Sequence, residues 1–141
     1  MSYDNLEKLL EELQKKIEHE EGQTYSKIVI REYRNPSNFG VLENPDAFAK
    51  IKGPCGDTMK IGFRTKSGKI IDARFWTDGC GATIACGSML TKMMKGKTID
   101  EAANITSDKL TKALDGLPEE HMHCSKLAVT TLQEAIENYD G

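Results

Sequence analysis

The stretch Thr77-Asp78-Gly79-Cys80-Gly81-Ala82 lies where a strand pattern ends and a long helix pattern begins. Glycines on both sides of Cys80 leave little side-chain bulk around its thiol. A cysteine at the start of a helix also lies near backbone N–H groups, which stabilise the thiolate and lower its pKa. This stretch therefore predicts a thiolate that holds a bound group. We expect Cys55 and the pair His123-Cys124 to converge on it in one metal or cluster site.

The two segments before Cys80 predict a β-hairpin. Residues 59–65 and 71–77 alternate between inward and outward side chains with the period of two that a strand requires. Ser67-Gly68 fits a two-residue turn between Lys66 and Lys69. The predicted inward residues are Met59, Ile61, Phe63 and Thr65 in the first segment and Ile71, Ala73, Phe75 and Thr77 in the second.

The hairpin register predicts which loop residues meet. With the turn at Ser67-Gly68, Asp57 faces Asp78 and Cys55 faces Cys80. Neighbouring strands lie about 4.8 Å apart, so the two cysteines can share a metal ion or a small cluster. A bulge would move this pairing by one residue but would leave both loops at the same end of the sheet.

Helices and one more strand are predicted on either side of the hairpin. An amphipathic helix with an apolar stripe from Leu6 to Ile17 ends near Gly22, and a short helix covers residues 25–33. Residues 47–52 predict the first strand. The elements after Cys80 are a helix from Ala82 to about Gly96, a short helix opened by the capping box Thr98-Ile99-Asp100-Glu101, a helix from Ser107 to about Gly116, and a last helix whose apolar stripe begins at Cys124.

Composition narrows the class of protein. The chain has 141 residues, 29% charged and 38% hydrophobic, which is ordinary for one globular domain. Its net charge of −3 argues against a nucleic-acid binder that relies on phosphate contacts. No apolar run is long enough to cross a bilayer, and the first residues lack a signal-peptide pattern, so we expect no membrane partner and a cytoplasmic location. Four cysteines there are more typical of metal binding or reactivity than of disulfides.

The cysteines differ in their surroundings. Cys55, Cys80 and Cys124 lie in motifs typical of exposed backbone, and none belongs to a C-x-x-C pair. Cys86 lies on the apolar stripe of a helix, which indicates a core residue. Two alternatives stay open on these residues alone. The glycines around Cys55 and Cys80 can serve turns only, and Cys124 can be the first buried residue of its helix instead of a ligand.

Oxygen and nitrogen ligands can complete a thiolate site. His123 adjoins Cys124 and is the candidate imidazole, whereas His121 is expected to point elsewhere and His19 to be solvated on a charged helix face. Asp57 and Asp78 both fall near the predicted site. Three thiolates with one oxygen or nitrogen ligand suit tetrahedral Zn²⁺ or a binuclear iron–sulfur cluster, and spacing does not separate the two.

Ordered motifs follow one another along most of the chain. They are Tyr33-Arg34-Asn35-Pro36-Ser37-Asn38-Phe39-Gly40, Gly53-Pro54-Cys55-Gly56-Asp57, Asp72-Ala73-Arg74-Phe75, Gly79-Cys80-Gly81, Lys95-Gly96-Lys97 and His123-Cys124-Ser125. In this order the chain resembles the IscU/NifU N-terminal type of iron–sulfur cluster assembly scaffold, from about Tyr25 to the C-terminus.

The resemblance implies an α+β fold, in which a three-stranded antiparallel sheet packs against several helices and the site is exposed at one end. It divides the chain into an N-terminal helical extension, residues 1–22, and a single scaffold domain, residues 23–141. It further implies a carrier and not an enzyme. Such a carrier accepts sulfur from a cysteine desulfurase, collects iron, assembles a 2Fe-2S cluster and transfers it to recipient apo-proteins.

The motifs also imply roles for particular residues. Cys55, Cys80 and Cys124 would be cluster ligands and sulfur acceptors, with Cys124 the first acceptor. Asp57 and His123 would compete for the remaining ligand position and govern release. We also expect zinc to be able to occupy the site in the isolated protein, because zinc is redox-inert and suits this ligand set.

The chain departs from the family pattern in three places, one of which is Cys86, a spare thiol where the family commonly has a small residue. The chaperone-recognition stretch of the family typically reads Leu-Pro-Pro-Val-Lys, whereas here Leu117-Pro118-Glu119-Glu120-His121 stands. Recognition by that specialised chaperone is therefore not carried over, and His121 replaces the usual lysine. The N-terminal helix is an extension whose apolar stripe needs a partner, either the core of this chain or another subunit of a homo-oligomer.

Two other functions are weighed against the scaffold. A zinc-binding sulfur-transfer protein of the SufU type would use the same cysteines without building a cluster. That branch carries an insertion between the second and last cysteines, and residues 96–117 leave no obvious room for it. A cysteine hydrolase would need a histidine base for Cys124, but the adjacent His123 is poorly placed because neighbouring side chains point apart.

Overall fold

The computed structural model describes residues 6–12 and 25–139. In this part of the chain a three-stranded antiparallel sheet with the order β1-β2-β3 packs against helices, which confirms the predicted α+β fold. The strands are β1 (Ala47–Lys52), β2 (Thr58–Lys66) and β3 (Lys69–Thr77). The helices are α1 (residues 6–12), α2 (Lys27–Arg34), α3 (Gly81–Met94), α4 (Ile99–Ala103), α5 (Ser107–Ala113) and α6 (Met122–Glu137), with a single 3₁₀ turn at Glu119–His121 before α6.

The N-terminal extension is described only in part. Residues 6–12 are helical, as the apolar periodicity predicts, and the leucines of the apolar stripe in this range, Leu6, Leu9 and Leu10, are exposed. The rest of that predicted helix, from Leu13 to Gly22, lies outside the described residues. The boundary between an extension and a scaffold domain at residue 22 stays a prediction.

The β2–β3 hairpin closes at Ser67 and Gly68. Both residues have positive φ, 55° and 80°, which the two-residue hairpin turn requires and which glycine adopts without strain. Lys66 pairs with Lys69, as predicted.

A β-bulge then changes the register. The pairing shifts between Arg64 and Thr65, and from that point Arg64 faces Asp72 and Met59 faces Thr77. The extra residue is Ile71, which is 54% exposed although its position in the alternating pattern predicted burial. The predicted pairs Asp57–Asp78 and Cys55–Cys80 are therefore wrong by one residue.

The core lies between the sheet and the two long helices. Helix α3 packs on β3, and α6 packs on β1 and β2. Cys86 is fully buried on α3, which confirms its core assignment. The predicted capping box at the start of α4 is present, since Thr98 accepts from the Glu101 backbone N–H and Glu101 accepts from the Thr98 backbone N–H.

A buried carboxylate fixes α2 against α3. Glu32 accepts a hydrogen bond from Ser88 Oγ at 2.8 Å and forms ion pairs with Lys92 at 2.6 Å and Arg31 at 3.0 Å. Burial raises the pKa of Glu32, but the hydrogen bonds from these three side chains outweigh it and leave the pKa below its ordinary value. The carboxylate stays ionised, and α2 is held in one orientation beside the start of α3.

Gly87 allows the close approach of α3 to β3. A Cβ atom at this helical position would overlap the ring of the buried Phe75.

We predict that Gly87→Ala lowers the free energy of unfolding by about 1–3 kcal/mol, although alanine is the better helix former, because an overpacked core must shift. Urea denaturation followed by Trp76 fluorescence measures the change. The matched control is Thr130→Ala on the exposed face of α6, for which no loss is expected. A Gly87→Ala protein as stable as the wild type would contradict this account of the α3–β3 contact.

Candidate metal centre

Three chain segments meet at one end of the sheet. The β1–β2 turn carries Cys55 and Asp57, the β3–α3 turn carries Cys80, and the start of α6 carries Cys124. Since the strands are antiparallel, the beginning of β2 and the end of β3 lie side by side. The backbone N–H of Thr58 donates to Asp78 Oδ1 at 2.8 Å and joins the first two segments. The predicted meeting of the loops at this end is thus observed.

Two thiols, one at the start of α3 and one at the start of α6, form the candidate centre together with one imidazole. The ligand atoms of Cys80, His121 and Cys124 all lie within 4.8 Å of one another. Cys80 is the N-cap residue of α3 and is exposed, whereas Cys124 is in the first turn of α6 and is buried. The structure therefore brings Cys80 and Cys124 together, as the sequence predicts. Soft thiolates with an imidazole suit zinc or iron–sulfur chemistry.

Thr83 lies among the candidate ligands, one helical turn after Cys80. Its buried hydroxyl donates to Cys124 Sγ at 3.3 Å, has Asp57 Oδ2 as a second acceptor at 3.5 Å, and lies 3.7 Å from Cys80 Sγ. Thr83 was not among the residues predicted for the site. The available signal was its spacing of three residues from a predicted N-cap cysteine, which places both side chains on one side of the first turn.

Asp57 borders the centre without belonging to the three-residue cluster. Its carboxylate packs on the backbone of Gly79, where an added Cβ would lie 2.9 Å from Asp57 Oδ2 and 2.8 Å from Thr83 Oγ1. Gly79 is therefore required for close approach and not only for the turn. Asp57 lies near enough to accept from Thr83, and its role as a ligand stays a prediction.

Cys55 is exposed in the tight β1–β2 turn. The turn is closed by hydrogen bonds from Gly53 N–H to Asp57 O at 2.7 Å and from Gly56 N–H to Gly53 O at 3.0 Å. Among the described residues, the ligand atoms within 4.8 Å of one another do not include the Cys55 thiol. Its convergence with the other two cysteines, and its role as a ligand, stay predictions.

The two histidines each lie beside one of the candidate thiols. His123 Nε2 lies 3.6 Å from the sulfur of the adjacent Cys124, so the prediction that these neighbouring side chains point apart is wrong. The His123 ring also lines an apolar pocket beside Leu127. The prediction that His121 points elsewhere is wrong, because His121 Nδ1 lies 4.0 Å from Cys80 Sγ. A 3₁₀ turn runs directly into α6, and this places His121 on the same side as Cys124 three residues later. The His121-x-x-Cys124 spacing was the signal for this.

Burial controls the protonation of Cys124. Its desolvation raises the pKa of the Cys124 thiol to about 11; the hydrogen bond from Thr83 lowers it in part, and the nearby Cys80 and Asp57 raise it further. Burial likewise raises the pKa of Cys86 well above its ordinary value. Cys124 is thus buried at the start of its core stripe and also belongs to the cluster of candidate ligand atoms, and its role as a ligand stays a prediction. Any thiolate-stabilising effect of the helix N-terminus is weaker here than desolvation.

Within the described ranges, 6–12 and 25–139, no helix is both long enough and apolar enough to cross a membrane.

Comparisons with known proteins give one consistent result. Residues 24–141 match the family model of the NifU-like N-terminal domain. The chain is 47% identical over 116 residues to the iron–sulfur cluster assembly scaffold protein IscU 1 of Archaeoglobus fulgidus, covering 82% of this chain and 76% of the relative. It is 36% identical over 140 residues to the iron–sulfur cluster assembly enzyme IscU of Drosophila melanogaster, covering 96% and 90%.

A solved structure shares the fold. It is described as a candidate iron–sulfur cluster assembly scaffold for the SUF system from Fervidobacterium islandicum AW-1, and it covers 79% of this chain and 96% of its own with a TM-score of 0.65. Its sequence identity of 21% supports similarity of fold alone. The family model and the relatives show that this chain belongs to the NifU-like N-terminal domain family of iron–sulfur cluster assembly scaffolds.

Proposed function

We propose that this chain is a scaffold on which a 2Fe-2S cluster is assembled from iron and sulfur before transfer to recipient apo-proteins. The observation that carries the proposal is the group of Cys80, His121 and Cys124 at an exposed end of the sheet, in a chain 47% identical to a protein named as such a scaffold. The cluster is cargo. The proposed ligand set is Cys55, Cys80 and Cys124 with Asp57 or His123, to which the structure adds His121.

The arrangement suits a cargo that must leave. Thiolates bind iron strongly, whereas carboxylate and imidazole ligands are weaker and exchange more readily. Cys80 is exposed and Cys124 is buried, so the two proposed ligands differ in their access to solvent. A recipient protein can reach the exposed side of the cluster first. The protein supplies position and lability while the metal supplies the chemistry, so we propose a carrier and not a turnover enzyme.

Sulfur delivery also requires a cysteine thiolate that the sulfur donor can reach. In the proposed step an acceptor thiolate attacks the outer sulfur of the persulfide on a cysteine desulfurase. A new S–S bond forms on the scaffold, and the desulfurase thiolate leaves. Cys55 and Cys80 are exposed to such a partner, whereas Cys124 is buried and protonated. If Cys124 is the first acceptor, opening and deprotonation of its site must come before the attack.

The SufU-type sulfur carrier is the outcome to be tested against the scaffold. After α3, residues 96–117 form only the short helices α4 and α5 with their turns, without a large inserted segment. Anaerobic reconstitution with Fe²⁺ and sulfide tests the scaffold directly. A chain that holds zinc tightly and develops no 2Fe-2S absorption would support the sulfur carrier instead.

We predict that Cys80→Ser abolishes stable cluster assembly, because it removes an exposed thiolate from the centre. The matched control is Cys86→Ala, which removes a core thiol and leaves the centre intact. Both variants are reconstituted anaerobically and compared by their 2Fe-2S absorption and their bound iron and sulfide. Equal loss of the cluster in the two variants would contradict the separation into ligand and core cysteines.

We predict that Asp57→Ala retains its cluster several-fold longer than the wild type, because a competing exchangeable ligand is removed from beside Thr83. The decay of 2Fe-2S absorption in the presence of a chelator measures retention. Asp78→Ala is the matched control, since Asp78 caps the Thr58 backbone N–H at the same end of the sheet. Faster loss from Asp57→Ala than from the control would show that Asp57 is itself a required ligand.

We predict an unusual pH dependence for the reactivity of Cys124. With its pKa near 11, its alkylation rate should rise about tenfold per pH unit from pH 7 to pH 10 without a plateau, because the thiolate is the reactive form. In the denatured chain the same cysteine should level off above its ordinary pKa of about 8.5. Mass spectrometry of iodoacetamide-treated protein measures each site separately. A plateau for Cys124 in the folded chain below pH 9 would contradict the assignment.

A further inference from the structure

We infer that His121 binds metal through Nδ1 in this centre and that Tyr25 is the positioning residue that holds its ring. This inference rests on the proposed function, because it names the nitrogen ligand of the same metal-binding site. It differs from the assignment of His123 that the family resemblance implies.

The two nitrogens of the His121 ring face different partners. Nδ1 lies 4.0 Å from Cys80 Sγ, and Nε2 lies 3.0 Å from the hydroxyl of Tyr25. The rings of Tyr25 and His121 are also in contact, with centroids 5.4 Å apart. Thiolate and imidazole ligands that share one tetrahedral zinc ion lie roughly 3.5–3.8 Å apart, as the Zn–S and Zn–N bond lengths require. Ligand atoms already within 4.8 Å need to move only by about 1 Å.

The Tyr25 hydroxyl can form a hydrogen bond with the His121 ring both with and without metal at Nδ1. A neutral imidazole carries one N–H, so metal at Nδ1 requires the proton on Nε2, where Tyr25 accepts it. When Nδ1 instead carries the proton and faces Cys80, the Tyr25 hydroxyl can donate to Nε2, because a phenol is both donor and acceptor. The ring can therefore change between its two tautomers without losing this hydrogen bond. A backbone carbonyl in the same place could serve only the metal-bound tautomer.

Tyr25 is held in place by contacts on both sides. Its ring packs edge-on against Tyr33, with centroids 6.3 Å apart. The next residue, Ser26, caps α2 by accepting from the Val29 N–H at 3.0 Å, and its own hydroxyl donates to Leu114 O at 2.5 Å. The segment before α2 is thereby tied to the end of α5, directly before the segment that carries His121. A ligand partnered in this way is positioned before metal arrives.

His123 occupies a different environment. Its Nε2 is 3.6 Å from the sulfur of its neighbour Cys124, and the His123 ring lies beside that of His121 with centroids 6.3 Å apart. Of these two histidines, only His121 belongs to the group whose ligand atoms lie within 4.8 Å of one another. The structure therefore favours His121 as the imidazole ligand.

The experiment measures metal binding to the full chain without cluster assembly. Zn²⁺ affinity is determined by competition with a chromophoric chelator for the wild type and for His121→Gln, Tyr25→Phe and His123→Gln. His19→Gln is the matched control, since His19 lies in the N-terminal extension. In parallel, long-range ¹H–¹⁵N spectra of uniformly labelled protein follow the ring nitrogens of all three histidines as Zn²⁺ is added.

We expect His121→Gln to weaken zinc binding by at least about tenfold and Tyr25→Phe by about tenfold, the usual effect of losing a partner of a ligating histidine. His19→Gln should leave the affinity unchanged, and His123→Gln should have a smaller effect than His121→Gln. The spectra should show Nδ1 of His121 shifted by zinc with the proton on Nε2. In Tyr25→Phe the same nitrogen should shift, at higher zinc concentration.

Different outcomes separate the failure of the inference from that of the proposed function. If Cys80→Ser loses zinc while His121→Gln binds it with wild-type affinity, the inference is overturned and the thiolate centre stands. An unshifted Nδ1 of His121 in zinc-loaded protein would overturn it as well. A wild-type chain that holds neither zinc nor a reconstituted cluster would overturn both.

Discussion

The close packing around the reversal between β3 and α3 determines where every candidate ligand lies. Only Asp78, Gly79 and Cys80 separate the last residue of the strand from the first of the helix. Gly79 lies against Asp57 and Thr83, and a Cβ at Gly81 would lie 3.2 Å from the Tyr33 ring. A side chain at Gly79 would overlap Asp57 and Thr83, and one at Gly81 would crowd the Tyr33 ring of α2. The small residues around Cys80 thus bring a strand end, a helix start and the end of α2 to one point.

The same packing disfavours the thiolate form of Cys124, and a bound cation would favour it. Cys124 is buried beside a second thiol and a carboxylate, and this environment keeps the Cys124 thiol protonated. A metal ion that displaces the proton replaces mutual repulsion with attraction to all three groups. Metal binding must then release protons, so affinity rises with pH. Because only one of the two thiols is deeply buried, the centre can bind cargo without enclosing it.

Much of the fold was predictable because its signals are local. The period-two segments, the Ser67-Gly68 turn and the capping box at Thr98 each depend on a few neighbouring residues, and all three appear as predicted. The bulge at Ile71 was not predictable, because Ile70 and Ile71 are both apolar and either one fits the inward position beside the turn. The burial of Cys124 and the contacts of Thr83 depend on how α3 packs beside α6. Such packing joins residues 41 positions apart in the chain.

His121 shows why the proposed nitrogen ligand was harder to predict than the proposed thiol ligands. His123 adjoins Cys124 and its Nε2 lies 3.6 Å from that sulfur, but among the described residues it is not part of the cluster that contains both thiols. His121, three residues before Cys124, is directed toward the centre only if the intervening turn is helical. Here a 3₁₀ turn supplies that geometry. The partner of its second nitrogen, Tyr25, is 96 residues away and cannot be inferred from local spacing. The contacts of both ring nitrogens therefore indicate the ligand more reliably than a motif that names only the nearest histidine.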